Sequence, residues 1–204
     1  YQCDWSSDVC SSDLASGTGD SDLTLTFSGT IISTGDNGVD ARVTNALNTG
    51  TLIVNANASV TSSGGAAIRA ENDGTGGQTI NIAAVSTITG LNNFAIDTVG
   101  NGSTINNAGT INGFVDLSTG ADTVNNTGLW NALGTSVFGT GTDTVNNTGR
   151  VEVAPASVTA TTVLWTGLES FNNNGGVVDL RQGHTGDVFT LQRSEEHTSE
   201  LQSH

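Results

Sequence analysis

The sequence predicts an all-β protein, a parallel β-helix or β-solenoid with coils of about 20 residues. Three observations predict it: an internal repeat, short runs of β-branched residues between Gly and Asn, and the absence of helical periodicity. One coil of such a fold cannot bury its apolar side alone, so coils stack and share a continuous core. Roughly 178 residues between the two tails at about 20 per coil would allow eight or nine coils.

The repeat is clearest in DTVNNTG, which occurs at Asp122–Gly128 and again at Asp143–Gly149. Looser copies are STINNAG at Ser103–Gly109 and ESFNNNG at Glu169–Gly175. In each copy an apolar residue precedes two asparagines, and a second apolar residue follows six positions after the first. We expect the first set to stack as one row inside the coil: Ile105, Val124, Val145 and Phe171. We expect the second set to form another inner row: Ile111, Trp130, Val151 and Val177.

The paired asparagines of the repeat are predicted to form ladders at the turns. Asn tolerates left-handed backbone conformations better than most residues. Asparagines at the same place on successive coils can hydrogen-bond side chain to side chain, as they do in cross-β structures. A role in sugar binding is the less favoured interpretation. The predicted ladder residues are Asn106, Asn107, Asn125, Asn126, Asn146, Asn147, Asn172 and Asn173.

The two ends of the chain, residues 1–14 and 193–204, are predicted to be translated sequencing adapter. Asp4–Leu14 can be back-translated to a DNA stretch whose reverse complement encodes Arg193–Ser203. Two peptides that encode each other on opposite DNA strands have no physical reason to occur in one protein, and the shared DNA resembles the common adapter of short-read libraries. We therefore expect one β-helix domain over residues 15–192, with unstructured or stray tails that do not pack on it.

The composition of residues 15–192 excludes several classes of partner. This segment contains no Cys, Met, Tyr or Lys, and it carries fourteen acidic residues against four arginines, a formal net charge of −10. Nucleic acids and anionic membrane surfaces need clustered Lys and Arg, so neither is expected as a partner. The absence of Cys is compatible with secretion through an oxidising compartment. No apolar run approaches the roughly 20 residues that a membrane-spanning helix needs.

Two segments, Ser118–Val124 and Gly139–Val145, resemble part of the glycine-rich repeat that binds calcium in a different β-roll. Calcium needs roughly six to eight oxygen ligands, which that roll supplies from consecutive repeats of about nine residues. Because the two copies here are 21 residues apart, we favour the interpretation that Asp122 and Asp143 cap tight turns. Calcium is the alternative, since a cation would relieve the repulsion of two stacked aspartates. We expect no other cofactor.

Paired carboxylates are the residues through which a β-helical enzyme would cleave glycans, and they must lie about 5–9.5 Å apart. Two similar segments, GFVDL at Gly113–Leu117 and GVVDL at Gly176–Leu180, each carry an acid. Four acids could fall on one side of the solenoid: Asp116, Asp122, Asp143 and Asp179. However, acids at turns are common without catalysis, and His184 is predicted to be an exposed turn residue with no triad partner. We therefore predict no catalytic residues.

The segment Leu164–Leu191, LWTGLESFNNNGGVVDLRQGHTGDVFTL, resembles the passenger region of bacterial autotransporters. The preceding coils GADTVNNTG and GTDTVNNTG are similar to the same passengers. The resemblance implies a right-handed parallel β-helix that a C-terminal transmembrane β-barrel carries across the outer membrane. It also implies that the barrel belongs to a part of the protein beyond this chain.

From the resemblance and the residues together, we expect a non-catalytic passenger segment with a structural or adhesive role. It would be a monomer at the bacterial cell surface, with host or matrix glycans or proteins as partners and with a place in virulence. Two alternatives stay open: a β-helical enzyme that degrades polysaccharides, and a surface repeat protein that calcium stabilises. A carboxylate cluster in an open groove would favour the enzyme, and stacked aspartates with converging carbonyls would favour the calcium-stabilised protein.

Overall fold

The computed structural model describes residues 10–13, 22–91, 93–181, 183–193 and 198–202, which form an all-β solenoid. Each turn of the solenoid contributes one strand to each of three sheets. The described residues complete about six turns, with about 26 residues per turn. The all-β class and the parallel β-solenoid predicted from the repeat are therefore confirmed.

The regular structure of the described residues is entirely strand, and the strands are numbered along the chain. Their bounds are β1 (Cys10–Asp13), β2 (Leu23–Phe27), β3 (Ile31–Ser33), β4 (Val39–Val43), β5 (Leu52–Ala56), β6 (Val60–Ser62), β7 (Ile68–Asn72), β8 (Gln78–Ile82), β9 (Thr87–Gly90), β10 (Ile96–Gly100), β11 (Ser103–Asn107), β12 (Thr110–Gly113), β13 (Val115–Asp116), β14 (Thr123–Asn126), β15 (Leu129–Ala132), β16 (Thr135–Val137), β17 (Thr144–Asn147), β18 (Arg150–Val153), β19 (Thr162–Thr166), β20 (Ser170–Asn173), β21 (Val177–Asp179), β22 (Val188–Gln192) and β23 (Thr198–Gln202).

Three sheets line the solenoid, and a turn passes through them in a fixed order. Sheet B has the order β2-β5-β8-β11-β14-β17-β20, and sheet C has the order β3-β6-β9-β12-β15-β18-β21. Sheet A has the order β1-β4-β7-β10-β13-β16-β19-β22-β23. A turn runs from sheet B through sheet C to sheet A, as in β2, β3 and β4. Neighbouring strands are parallel because each lies one turn further along the chain, as β14 and β17 do.

The core lies inside the coil, where alternate residues of every sheet meet. Sheet B supplies the predicted apolar row, with Ile105, Val124, Val145 and Phe171 paired in register. The predicted row of sheet C is also present, because Ile111 pairs with Trp130 and Trp130 with Val151. Such rows bury apolar side chains against identical positions one strand spacing away, which is how stacked coils share one core.

The sequence prediction is wrong for the last member of the sheet C row. Val151 pairs with Val178, and Val177 points outward with 45% of its surface exposed. The turn between Phe171 and this strand contains two glycines, Gly175 and Gly176, where the earlier copies have one. Because side chains alternate along a strand, one inserted residue exchanges the inward and outward positions.

The predicted coil length of about 20 residues holds for only two coils. Asparagines paired across neighbouring turns are separated by 26, 25, 19, 21 and 26 residues along sheet B. The expected eight or nine coils are accordingly reduced to about six. The added residues lie in corners, such as 154–161 between β18 and β19, where surface loops accept insertions without disturbing the strands.

The expectation that both tails stay off the solenoid is wrong for their described segments. Strand β1 pairs in parallel with β4, and β23 pairs antiparallel with β22, so both lie in sheet A. An edge strand presents a row of free N–H and C=O groups that pairs with any extended segment, whatever its side chains. Backbone pairing therefore needs no evolved partner, and it is compatible with an adapter origin of the tails.

A group of aromatic side chains fills the core of the last turns. Trp130 and Trp165 stack with ring centroids 4.4 Å apart, and both are fully buried. The indole N–H of Trp130 donates to the carbonyl of Gly113 at 3.1 Å. Phe138 and Phe189 contact Trp165 from its other sides. Neither tryptophan is thus placed as a sugar-stacking surface, which agrees with the predicted core position of Trp130.

Candidate functional site

Sheet B carries the asparagine repeat, and its strands alternate between core and solvent. In β14 and β17 the sequence TVNN turns Val and the second Asn inward, and Thr and the first Asn outward. The aspartate before each strand is also buried. Each repeat therefore contributes to an acid row and an inner asparagine row inside the coil, and to an outer asparagine row on the surface.

The outer asparagine row is a one-way ladder of hydrogen bonds. The Nδ2 atom of Asn125 donates to Oδ1 of Asn106 at 2.9 Å, and that of Asn146 donates to Asn125 at 3.0 Å. Every amide in the row donates toward the preceding turn. The row is longer than the sequence analysis predicted, because two earlier asparagines join it. Its members are Asn55, Asn81, Asn106, Asn125, Asn146 and Asn172.

The inner asparagine row is buried at Asn107, Asn126 and Asn147 and exposed at its last member, Asn173, and its ladder runs in the opposite direction. Nδ2 of Asn107 donates to Oδ1 of Asn126, which donates to Asn147, and Asn147 donates to Asn173, each at 2.7 Å. Each donor thus points to the following turn. The same Nδ2 atom of Asn126 also reaches the carbonyl of Arg150 at 3.2 Å. These buried amides therefore satisfy the backbone at the corner between sheets B and C.

The eight predicted ladder residues do stack, but they are not left-handed turn residues. All eight lie in strands of sheet B. In the described part of the chain, the residues other than glycine with positive φ are Ala154 and Ala156. The period-2 alternation of a strand would have divided the eight into one outward-facing and one inward-facing set. A threonine stands two residues before Asn106, Asn125 and Asn146, and the same spacing in the sequence TIN could have revealed Asn81.

The acid row, Asp122, Asp143 and Glu169, continues the inner side of sheet B toward its last strand. The backbone N–H of Ser103 donates to Oδ1 of Asp122 at 2.5 Å, and that of Asp122 donates to Oδ1 of Asp143 at 2.7 Å. The N–H of Asp143 donates to Oε2 of Glu169 at 2.7 Å. Each acid therefore binds the backbone of the turn before it. The predicted capping of a local turn is wrong, because the bonded N–H lies one turn away.

Burial sets the protonation of the two aspartates in this row. Asp122 and Asp143 have 1% and 0% of their surface exposed. Burial, together with the charge of Asp143, raises the pKa of the Asp122 carboxyl to about 7, although the Ser103 N–H opposes the rise. Burial and the charge of Glu169 raise the pKa of the Asp143 carboxyl to about 6. Both carboxyls therefore bind a proton far more readily than an exposed aspartate does.

The arrangement of Asp122 and Asp143 does not match a calcium site. In each aspartate Oδ1 accepts a hydrogen bond from a backbone N–H, and Oδ2 is buried without a hydrogen-bond partner. Calcium needs roughly six to eight converging oxygens. Within the residues that the structure describes, no three His, Cys, Asp or Glu side chains are grouped to hold a metal ion. We therefore do not assign these aspartates as metal ligands.

The four acids considered for catalysis do not meet on one side of the solenoid. Asp116 belongs to sheet A and Asp179 to sheet C, while Asp122 and Asp143 lie inside sheet B. The similar segments GFVDL and GVVDL are thus not structurally equivalent. Asp179 is bonded to Arg150 and Arg181, so its charge is neutralised where it lies. The expected grouping is wrong because corners of unequal length shift the segments between sheets.

Asp116 has a different carboxylate neighbour, which the sequence analysis missed. Asp97 pairs with it in register across β10 and β13. Burial raises the pKa of both carboxyls, and Asp116 raises that of Asp97 further, against the lowering effect of Arg69. The rings of Phe94 and Phe114 pack edge to face beside these strands, with centroids 4.9 Å apart. A glycan-cleaving site requires two neighbouring carboxyl groups, so this pair is the remaining catalytic candidate.

A shallow groove of about 300 Å³ follows the outer asparagine row. Asn81, Asn106 and Asn125 line it, together with Asn57 and Thr127.

His184 lies outside this groove, and it is exposed at a turn, as predicted. Its backbone N–H donates to Oδ2 of Asp187 at 2.7 Å.

No protein family, curated protein or solved structure matches this chain. In the described residues there is no helix long and apolar enough to cross a membrane. The basis for a function is therefore the geometry of the three rows and of the Asp97–Asp116 pair.

Proposed function

We propose that residues 15–192 are a structural, non-catalytic segment of an autotransporter passenger at the bacterial cell surface. Its role is to extend from the cell and to present adhesive parts of the parent protein to host or matrix glycans or proteins. It acts as a monomer, needs no cofactor and does not bind nucleic acid. The transmembrane β-barrel implied by the resemblance carries it across the outer membrane.

The unbroken outer asparagine row is the observation that supports this proposal. Five successive hydrogen bonds between side-chain amides join neighbouring turns of sheet B, from Asn81–Asn55 to Asn172–Asn146. Repeated side chains that hydrogen-bond one another stiffen the array along its axis, and part of their capacity to bind a ligand is used in doing so. Repeat proteins gain extended, uniform surfaces in this way, with stability that each turn supplies to its neighbours.

Surface exposure of this segment is tested on intact cells of the source bacterium. An antibody raised against the purified chain should label unpermeabilised cells, and external protease should remove the label. Long-read sequencing of the locus tests the two tails at the same time. We expect the intact gene to lack the codons of residues 1–14 and 193–204. Labelling that requires permeabilisation would contradict the cell-surface proposal.

A polysaccharide-degrading activity is the alternative, and the Asp97–Asp116 pair favours it. Two half-buried carboxyls with raised pKa values lie on adjacent strands, and a raised pKa is what a carboxyl group needs to act as a general acid. However, Arg69 binds Asp97 at 3.2 Å, so this carboxylate is already held in an ion-pair network with Glu71. A structural network accounts for the same residues without catalysis.

The two functions are separated by a depolymerisation assay. The full chain, Asp97→Asn and Asp116→Asn are incubated with neutral and pectin-like glycans, and new reducing ends are measured. We expect no turnover from any of the three proteins. Turnover by the full chain that both variants lose, while their circular dichroism spectra stay unchanged, would replace the structural proposal with the enzyme.

A further inference from the structure

The inner side of sheet B changes character along the solenoid. One inward-facing position lies at the start of each strand or one residue before it, and this position is apolar in the first turns and polar or acidic in the later ones. In order along the sheet it is occupied by Leu23, Leu52, Gln78, Ser103, Asp122, Asp143 and Glu169. The later turns therefore place carboxyl groups where the earlier turns place leucine.

The backbone explains why a carboxyl group is used there. The N–H of Leu52 and that of Gln78 donate to backbone carbonyls of the following turn. At Ser103, Asp122 and Asp143 the corresponding N–H groups donate to a carboxyl oxygen instead. In these turns the acid of the next turn satisfies a buried donor that would otherwise cost about 1–3 kcal/mol.

The second oxygen of each buried aspartate has no such role. Oδ2 of Asp122 and Oδ2 of Asp143 are sealed from solvent and have no hydrogen-bond partner in the described residues. A buried carboxylate without compensation is strongly disfavoured, and such a group neutralises itself by binding a proton. The backbone uses only Oδ1, and a neutral carboxyl group still offers that acceptor, although more weakly than a carboxylate does.

The charged neighbours that act on the two buried aspartates are negative. Asp143 acts on Asp122, and Glu169 acts on Asp143. The preceding turns present hydroxyl groups, because Asp122 is bonded to Ser118 and the hydroxyl of Ser103 contacts Thr98. Four arginines are bonded to acids of sheets A and C, namely Arg42, Arg69, Arg150 and Arg181, whereas Arg193 lines a surface pocket with Glu169 at the end of the row. Ionisation of Asp122 and of Asp143 is therefore opposed by burial and by the acid of the following turn.

We propose that the acid row is a proton-binding switch that tightens the later turns of the solenoid in mildly acidic surroundings and loosens them at alkaline pH. The switch consists of one proton bound to the carboxyl group of Asp122 and one bound to that of Asp143. The inference does not depend on the proposed surface function.

The direction of the effect follows from linkage. Both pKa values are raised on folding, from 3.8 to about 7 and about 6. The stabilisation is thus fully present below pH 3.8 and is lost as the pH rises through 6 and 7. Stability should fall steeply between pH 5 and pH 8, where an unburied carboxylate is already ionised.

The test is urea unfolding of the full chain and of an Asp122→Asn, Asp143→Asn double variant at pH 5 and pH 8. Asn keeps Oδ1 as the acceptor and cannot ionise. We expect the unfolding constant of the full chain to rise at least about tenfold between the two pH values. The double variant should lose at least that tenfold factor and be more stable than the parent at pH 8. Equal pH dependence in both proteins would overturn the proposal.

Two controls make the result specific. Asp97→Asn should keep the pH dependence that comes from sheet B, because its carboxyl lies on sheet A. Each titration is repeated with calcium and with a chelator, and a stability at pH 8 that depends on calcium would overturn a proton-based switch. A variant that failed to fold would not decide the question alone, so infrared spectra of the parent are recorded as well. They should show protonated carboxyl groups at pH 5 that disappear by pH 8, and their absence would overturn the proposal.

Discussion

The two asparagines of each repeat have the same chemistry, and their environment decides what each contributes. Asn125 lies on the surface, where water can replace any side-chain hydrogen bond that is lost. Asn126 lies one residue further along, fully buried, and bonds Asn107, Asn147 and the carbonyl of Arg150. A net hydrogen bond is worth about 1 kcal/mol, whereas a buried group left without a partner costs about 1–3 kcal/mol. Where the inner member of a pair is buried, as Asn107, Asn126 and Asn147 are, it therefore contributes more to the stability of its turn than the outer member does.

We predict that Asn126→Ala lowers the free energy of unfolding by about 3 kcal/mol, because it leaves buried partners unsatisfied. Its neighbour supplies the control, and Asn125→Ala should cost about 1 kcal/mol or less. Urea unfolding monitored by circular dichroism measures both, with m-values compared to detect a changed denatured state. Equal costs for the two variants would contradict the division into an inner and an outer row.

At the scale of the strand, the repeat predicts the register wherever its spacing is constant. Val124 lies opposite Val145 because the two copies of DTVNNTG form two strands in the same sheet. The prediction fails where a corner changes length, and one added glycine suffices to replace Val177 by Val178. Corner length is set by loops that local sequence specifies weakly, so the placement of Asp97 beside Asp116 could not be foreseen. The inward direction of Asp122 could have been predicted, because Asp122 lies two residues before Val124 and therefore faces the same side of the strand.

Close stacking of corners also makes some glycines obligatory. A Cβ atom added to Gly149 would lie 2.2 Å from the carbonyl oxygen of Gly128 on the preceding turn. We predict that Gly149→Ala destabilises the protein by about 1–3 kcal/mol through overpacking. Gly35→Ala is the matched control, because its Cβ would meet nothing within 4 Å. The melting temperatures of the two variants are compared, and a neutral Gly149→Ala would contradict the close approach of these turns.

At the scale of the whole molecule, the outermost strands of the described residues are sheet edges, whose backbone groups need partners from other segments. In the described residues, sheet A is closed at its last parallel strand by β23, which pairs antiparallel with β22. The contribution of β23 is a row of backbone bonds that any extended segment could supply. Protection of an edge is thus separable from the identity of the residues that protect it.

We predict that deletion of residues 194–204 makes the chain associate with itself through the exposed β22 edge. The fold of the remaining turns should be retained, since the core lies inside the coil. Size-exclusion chromatography over a range of protein concentrations measures the association, and a chain that lacks residues 1–9 serves as the control. A deletion variant that stays monomeric at every concentration would show that β22 needs no cover.

The opposed directions of the two asparagine rows also bear on how long such a solenoid can grow. Amide groups aligned head to tail add their dipoles, as the peptide units of a helix do, and a single row would build up opposite partial charges at its two ends. Here the outer amides point to the preceding turn and the inner ones to the following turn. In the turns from Asn107 to Asn173, where both rows are present, their fields oppose each other, so turns that carry both asparagines add little net polarisation as the solenoid lengthens.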